Sequence, residues 1–447
     1  MDTTLPPPTI SFTIPSLHDT TVLSCRVYHP DSLSASALSF GGADEEPWRG
    51  QVAVFAHPYA PLGGSADDRV VDVVAGTLVR KGYLVGTFNF RGAGDSEGRT
   101  SWTAKGEKDD YVSVVAFMLH YAHHLDPSAP HRRRGPGADP PVFLMGGYSY
   151  GAMVTTLLPP LDDLLRPFDQ PKLGTAAAEI CLRAEHLAEL ENGALAQARA
   201  RAKEARSRSG TPGGGGGGST RRSGIRVGGT ESGEAIRKSS DGRRAFIAEA
   251  EEKIRRSIGD VVGRKRRSSG EGRPSRGGGG GGGSGGGGAA EGLRHLEPSG
   301  IVPPRVAYLL VSPLQGTISH LATMSFLPTR LPLPGVPKLL KMAFHHKKDS
   351  DEGAEPAEAS VGEDASKGDT TTPPETLKLQ RNPTLAIFGD KDVFVSASKL
   401  RTWTRRMQGA PRSRFHAVEV STAGHFWIEE GVLDRLIGAV GGFSAGL

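Results

Sequence analysis

Apolar segments typical of β-strands alternate with amphipathic segments typical of α-helices towards both ends of this chain. Residues 51–57 and 83–90 are short apolar runs, and residues 67–81 between them repeat their apolar positions with helical spacing. Strands joined through helices run parallel, and a parallel sheet is covered by helices on both faces. The alternation therefore predicts an α/β domain with a mostly parallel sheet.

The same patterns place the other elements along the chain. Strands are predicted at residues 9–16, 22–29, 51–57, 83–90, 142–145, 306–311, 384–388 and 414–420. Helices are predicted at residues 67–81, 108–124, 152–158, 176–206, 398–407 and 426–440. The alternation stops near residue 158 and resumes near residue 306, so a long insertion interrupts the domain.

Two glycine runs, residues 213–218 and 277–288, dominate the insertion. Glycine runs bury too little surface to offset their ordering entropy, so disorder is expected there. Between them, residues 243–262 space Phe246, Ala250, Ile254 and Ile258 four apart, which predicts a helical segment. The expected organisation is the N-terminal part of the α/β domain at 1–175, a basic, glycine-rich, largely disordered insert with helical segments at 176–300, a core strand and partial lid at 301–346, an acidic disordered loop at 347–376, and the C-terminal part at 377–447.

The charge of the chain is concentrated in the insertion. Residues 199–276 contain 21 Lys and Arg against 9 Asp and Glu, whereas the whole chain has a net charge of +5. The basicity therefore predicts no nucleic-acid partner for the folded body. The basic run at 264–267 leaves open nuclear import, phosphorylation of the adjoining serines or contact with an anionic surface.

The expected location is the cytoplasm, with the basic insert as a route to the nucleus. The first residues lack the basic and apolar regions of a secretory signal, and no window is apolar enough to cross a membrane, so no stable membrane insertion is expected. The two cysteines, Cys25 and Cys181, form no spaced framework, which favours a reducing compartment and buried packing roles.

Ser149 occurs in Gly-Tyr-Ser-Tyr-Gly, directly after an apolar strand pattern and directly before a helix pattern. This layout is typical of a nucleophile elbow, in which a sharp turn exposes the serine hydroxyl. The G-x-S-x-G string also occurs around Ser96, Ser284 and Ser444, but without a strand before it and a helix after it. Ser149 is therefore the candidate nucleophile, and Ser96 is predicted to lie in a structural turn, not a phosphate site.

A serine nucleophile needs a histidine to accept its proton and an acid to orient that histidine. Asp390 and Asp392 follow the predicted strand at 384–388, and His425 lies in the loop after the next strand. The chain order Ser, Asp, His is the order found in α/β hydrolases. The residues themselves leave both aspartates open as the acid.

Five sequence blocks occur in an order that resembles the α/β-hydrolase superfamily, and within it intracellular serine hydrolases with esterase- or peptidase-like activity. The blocks are HPYAPLGGS (57–65), NFRGAGDSEG (89–98), GYSYG (147–151), GDKD (389–392) and GHF (424–426). The resemblance covers about residues 9–158 and 306–440. It implies the α/β-hydrolase fold, with an eight-stranded sheet and a catalytic triad at the carboxyl edge of that sheet.

The resemblance implies Ser149 as nucleophile, His425 as general base and acid, and Asp392 as the orienting acid, because the family pattern Gly-x-x-Asp matches the second aspartate. The backbone N–H groups of Tyr150 and Tyr59 are the candidate oxyanion-hole donors, since Pro58 has no N–H.

The expected function is hydrolysis of a small or medium ester, thioester or amide, with a small-molecule acyl substrate as the partner. No cofactor is expected, and no metal-ligand spacing or dinucleotide motif is present in the sequence. The alternative is a catalytically silent scaffold that binds acidic partners through its basic insert. A dehalogenase or epoxide hydrolase would have aspartate at the position of Ser149.

Overall fold

The structure is a computed structural model that describes residues 4–33, 48–101, 103–126, 140–209, 295–298, 300–314 and 373–447. The predicted helix at 243–262, both glycine runs, nearly all of the basic segment 199–276, residues 315–346 of the expected lid, and residues 347–372 of the acidic loop lie outside the described residues.

Within this part of the chain eight strands form one sheet. They are β1 (Ile10–Pro15), β2 (Val22–Tyr28), β3 (Val52–Ala56), β4 (Leu84–Phe88), β5 (Val142–Tyr148), β6 (Arg305–Val311), β7 (Thr384–Lys391) and β8 (Phe415–Gly424). The helices are α1 (Arg69–Arg80), α2 (Lys105–His124), α3 (Tyr150–Leu157), α4 (Leu161–Leu165), α5 (Ala176–Ser209), α6 (Pro374–Arg381), α7 (Ala397–Gln408) and α8 (Val432–Ala445).

The strand order in the sheet is β1-β2-β4-β3-β5-β6-β7-β8. Only β2 runs antiparallel to its neighbours, and every other adjacent pair from β4 to β8 is parallel. An eight-stranded, mostly parallel sheet in this order is the α/β-hydrolase fold, so the predicted fold class is confirmed. The carboxyl ends of β3, β5, β7 and β8 therefore meet at one edge of the sheet.

Helices cover both faces of the sheet. Ala53 and Phe55 of β3 belong to an apolar core that also contains Val74 of α1 and Leu436 of α8. On the other face, a Cβ added to Gly86 of β4 would lie 2.8 Å from the sulfur of Met118 in α2. Burial on both faces explains why the sequences of these strands are continuous apolar runs and do not alternate between apolar and polar residues.

The closing helix begins later than the sequence predicts. We expected a helix from residue 426 to residue 440, but α8 starts at Val432 and the preceding residues form turns. Trp427 and Gly431 have φ angles of +55° and +72°, which interrupt a right-handed helix. The loop that contains His425 is therefore longer than predicted.

The folded body extends further into the chain than composition suggests. We assigned residues 176–300 to the insert, yet α5 packs against α2 and β1 and buries Ile180, Leu187 and Leu195. Arg183 also donates a hydrogen bond to the backbone oxygen of Thr13 in β1. Similarly, α6 begins at Pro374, inside the expected acidic loop.

Two further sequence expectations concern membranes and cysteines. Among the described helices, none combines the length and apolar character that crossing a bilayer requires. Cys25 and Cys181 are both free and buried, as predicted.

Candidate active site

Ser149 lies at the turn between β5 and α3 in a conformation that non-glycine residues rarely adopt, with φ +56° and ψ −111°. The flanking glycines are required by close backbone contact. A Cβ on Gly147 would lie 2.4 Å from the carbonyl carbon of Gly151, and a Cβ on Gly151 would lie 2.6 Å from the carbonyl oxygen of Ala56. The turn therefore has the geometry of a nucleophile elbow and packs directly onto the end of β3.

Ser149, His425 and Asp392 form a continuous chain of hydrogen bonds. The His425 Nε2 atom lies 2.8 Å from Ser149 Oγ, and the Nδ1 atom lies 2.7 Å from Asp392 Oδ2. All three residues are less than a tenth exposed. With Nδ1–H donating to the carboxylate, Nε2 is the nitrogen that accepts from the serine hydroxyl. The three residues implied as a triad by sequence resemblance are thus brought together.

The two candidate acids have different partners. Asp392 Oδ1 accepts hydrogen bonds from the backbone N–H groups of Phe394 (2.8 Å) and Val395 (3.1 Å), which leaves Oδ2 facing His425. Asp390 Oδ1 instead accepts from the N–H of Thr422 at 2.7 Å and holds the end of β8. The structure therefore brings Asp392 and not Asp390 to the histidine.

The histidine loop is held by side chains of distant strands. Tyr148, the residue before the nucleophile, donates its hydroxyl proton to the carbonyl oxygen of His425 at 2.7 Å. Trp427 is completely buried, and its Nε1–H donates to Ser312 Oγ, directly after β6, at 3.0 Å. Sequence reasoning missed both contacts, because the partners of Tyr148 and Trp427 are far away in the sequence and the motifs do not specify them.

His57 directly follows β3 and connects two loops at the edge of the sheet where Ser149 lies. Its Nε2 accepts from the N–H of Phe90 at 2.9 Å, so Nδ1 carries the proton and donates it to the carbonyl oxygen of Pro58 at 2.6 Å. Burial lowers the pKa of this histidine to about 4, although the bond to Pro58 acts in the opposite direction. His57 is thus a neutral histidine whose ring connects two backbone segments.

This arrangement also orients Tyr59, one of the candidate oxyanion-hole residues. Because the C=O and N–H of a trans peptide point in opposite directions, the bond to the Pro58 oxygen turns the Tyr59 N–H away from the His57 ring. The Tyr59 oxygen accepts from the N–H groups of Leu62 and Gly64 in the next turn. The rings of Tyr59 and Tyr150 lie 5.1 Å apart, so the two candidate residues are neighbours.

Residues of the NFRGAGDSEG block form buried polar contacts with neighbouring parts of the fold. Arg91 is buried and forms a bidentate ion pair with Asp110 of α2, with N···O distances of 2.7 and 3.0 Å. Ser96 Oγ donates to the oxygen of Asn89 and accepts from the N–H of Ser24. The hydroxyl of Ser96 is therefore engaged within the fold, as expected of a structural turn.

A buried lysine that sequence reasoning missed lies at the far end of the elbow helix. Lys378 Nζ donates to the carbonyl oxygens of Thr155 (2.7 Å) and Leu158 (2.5 Å), at the carboxyl end of α3. Burial lowers the pKa of this lysine to about 7, against a smaller opposing effect of Glu375. A donor at this end satisfies carbonyls that the helix leaves unpaired.

Other histidines also occur in the C-terminal half of the chain. His416 is exposed on β8, and His345 and His346 lie outside the described residues. Across the part of the chain that the structure describes, no group of three or more His, Cys, Asp and Glu side chains is arranged to hold a metal ion.

Comparison by sequence relates a short part of the chain to a known protein. No family model matches the chain. The uncharacterized protein C959.06c of Schizosaccharomyces pombe is 30% identical over 105 residues, which cover 24% of this chain and 38% of the relative. The chain therefore matches less than two fifths of the length of that relative.

Several solved structures share the architecture at low sequence identity. An α/β serine hydrolase homologue from Coxiella burnetii is 12% identical (TM-score 0.38; 97% of this chain and 96% of that chain covered). The serine hydrolase XC6422 from Xanthomonas campestris, described as lacking a lid, is 13% identical (0.38; 98% and 95%). The Pyrococcus furiosus esterase Pf2001 is 10% identical (0.40; 97% and 90%). Similarities of this size do not indicate an activity.

Proposed function

We propose that this protein is a serine hydrolase that cleaves a small or medium ester, thioester or amide through an acyl-enzyme at Ser149, with an ester as the narrower expectation. The observation that carries the proposal is the buried hydrogen-bond chain from Ser149 through His425 to Asp392. A serine hydroxyl is a weak nucleophile, and this arrangement supplies the base and the orienting acid that activate it.

In the first half of the reaction, Ser149 Oγ attacks the carbonyl carbon of the substrate. His425 Nε2 accepts the hydroxyl proton as the bond forms, and Asp392 stabilises the positive charge that develops on the imidazole ring. The tetrahedral intermediate then collapses. The bond to the leaving group breaks, His425 Nε2 donates the same proton to the leaving atom, and the acyl group stays on Ser149.

The negative charge on the carbonyl oxygen requires donors that are already in position. The N–H of Tyr150 is a candidate because it follows the nucleophile at the first turn of α3, where the helix leaves N–H groups unpaired. The N–H of Tyr59 is the second candidate, and its peptide is oriented by His57. In the second half of the reaction, His425 Nε2 takes a proton from water as the water oxygen attacks the acyl carbon. The bond between that carbon and Ser149 Oγ then breaks, His425 returns the proton to Oγ, and the carboxylic acid leaves.

The test is covalent labelling of the purified protein with a fluorophosphonate probe, in which Ser149 Oγ would displace fluoride from phosphorus. We expect the wild type to be labelled, Ser149→Ala to be unlabelled, and His425→Ala and Asp392→Asn to be labelled at least about 100 times more slowly. Ser444→Ala is the matched control. Ser444 also lies in a G-x-S-x-G sequence, but its hydroxyl donates to the Gly441 oxygen within α8, so labelling should persist.

A wild-type protein that is folded but unlabelled would reject the proposal. Folding is checked by far-UV circular dichroism and a cooperative thermal transition. That outcome would favour the silent-scaffold alternative, in which residues 199–276, largely outside the described residues, bind acidic partners. Partner binding that survives Ser149→Ala but is lost on deletion of that segment would then be the expected result.

A further inference from the structure

Exposed apolar side chains are concentrated at the catalytic edge of the sheet. In the described part of the chain six large apolar residues are exposed, and four of them lie in loops that follow β3, β7 and β8. These four are Leu62 (37% exposed), Val393 (66%), Phe426 (48%) and Ile428 (73%). A single exposed apolar side chain needs no explanation, but a concentration at one edge indicates a binding surface.

Two aromatic rings from these loops contact the imidazole of His425. The ring centroid of Phe394 lies 4.5 Å from that of His425, and the ring of Phe426 stands nearly perpendicular to the imidazole at 5.6 Å. The two phenylalanine rings are 5.7 Å apart. We call Phe394 and Phe426 the aromatic rim.

The position of the aromatic rim determines which part of a substrate it can contact. The leaving atom receives its proton from His425 Nε2, so it must come within hydrogen-bond distance of that nitrogen. Groups attached to the leaving atom therefore extend beside the residues that contact the imidazole. The acyl group, in contrast, is bonded to Ser149, and its oxygen faces the oxyanion-hole donors. The aromatic rim is thus on the leaving-group side of the scissile bond.

We propose that the aromatic rim is a leaving-group subsite and that the preferred substrates are esters whose alcohol part is apolar, such as an alkyl chain of about six carbons. The inference rests on the proposed hydrolase function at Ser149. Contact with the aromatic rim removes apolar surface of the alcohol from water, which is worth about fourfold in kcat/KM for each methylene buried.

Two isomeric esters distinguish contacts with the alcohol part of the substrate from contacts with its acyl part. Hexyl acetate carries its alkyl chain on the alcohol, and ethyl hexanoate carries a similar chain on the acyl group. The variant is Phe426→Ala, at an exposed position where truncation should not affect folding. Val302→Ala is the matched control, since Val302 is 71% exposed but precedes β6 at the opposite edge of the sheet.

We expect Phe426→Ala to lower kcat/KM for hexyl acetate about three- to tenfold more than it lowers kcat/KM for ethyl hexanoate. Val302→Ala should change neither value. Equal losses on the two isomers, or no loss on either, would overturn the inference while the proposed function stands. A folded wild type that is unlabelled by the fluorophosphonate and hydrolyses neither ester would instead reject the function and the inference together.

Discussion

Two histidines at the same edge of the sheet are almost equally buried, and they differ in what their ring nitrogens contact. His57 accepts from one backbone N–H and donates to one backbone C=O. His425 contacts two side chains, the carboxylate of Asp392 and the hydroxyl of Ser149. The first histidine connects loops, and the second connects a serine hydroxyl to a carboxylate.

The comparison shows that burial alone does not identify a catalytic histidine. The backbone partners of His57 keep one tautomer, and burial lowers its pKa to about 4, so the ring stays neutral near pH 7. Neither backbone partner can take or supply a proton. Ser149 can supply one, and Asp392 can stabilise the resulting charge. The chemical type of the hydrogen-bond partners therefore separates the two roles.

The largest expected effect concerns the acid beside His425. Asp392→Asn keeps an acceptor for the N–H groups of Phe394 and Val395 but presents an amide NH₂ to His425, which favours the wrong tautomer of the ring. We expect kcat for ester hydrolysis to fall by about 10⁴, equivalent to about 5.5 kcal/mol, with little change in the free energy of unfolding.

Asp390→Asn is the matched control for this substitution. The asparagine oxygen still accepts from the N–H of Thr422, so kcat should change by less than about threefold. Steady-state kinetics on both variants provide the measurement. If Asp390→Asn caused the larger loss, the assignment of the orienting acid would be wrong.

A second prediction concerns the pH dependence of stability through His57. The folded-state pKa of about 4 is lower than the ordinary value of 6.5, so the unfolded chain binds this proton at a higher pH than the folded protein does. The stabilisation is complete above about pH 6.5 and is lost as pH falls towards 4. The loss is about 3 kcal/mol, since one pKa unit corresponds to about 1.4 kcal/mol.

His57→Gln isolates this contribution, because glutamine can accept from the N–H of Phe90 but does not titrate. Urea unfolding of both proteins between pH 7 and pH 4 gives the free energies. Other groups, including His120, whose pKa burial also lowers to about 4, affect both proteins equally. The wild type should lose about 3 kcal/mol more than the variant. If the difference in unfolding free energy between the two proteins stayed constant from pH 7 to pH 4, a buried, neutral His57 that bonds the backbone would be contradicted.

The sequence predicted the elements whose constraints are local. The elbow could be recognised because Gly147 and Gly151 lie two residues on either side of Ser149 and face backbone at 2.4–2.6 Å, where no side chain fits. The strands β3 and β5 could be recognised because both of their faces are buried, so nearly every residue is apolar.

The sequence could not predict what depends on contacts between distant residues. The choice between Asp390 and Asp392 depends on backbone N–H groups that reach their positions only when the loop after β7 is folded. The length of the histidine loop depends on Trp427, whose positive φ is held by its bond to Ser312, more than a hundred residues away. The sequence predicted a helix at residues 176–206 but placed it in the insert, because its high Ala, Glu and Arg content conceals the apolar residues that it buries.

The smallest expected effect concerns the link between the elbow and the histidine loop. Tyr148→Phe removes the hydroxyl that donates to the His425 oxygen and should cost about 1 kcal/mol in the free energy of unfolding. It should also lower kcat by about fivefold to tenfold, because His425 is then less well positioned. Tyr83→Phe is the matched control: Tyr83 is also buried and donates to a backbone oxygen, that of Ser444 in α8. Both variants should lose similar stability, but only Tyr148→Phe should lose activity, and equal activities would show that the histidine is held without this bond.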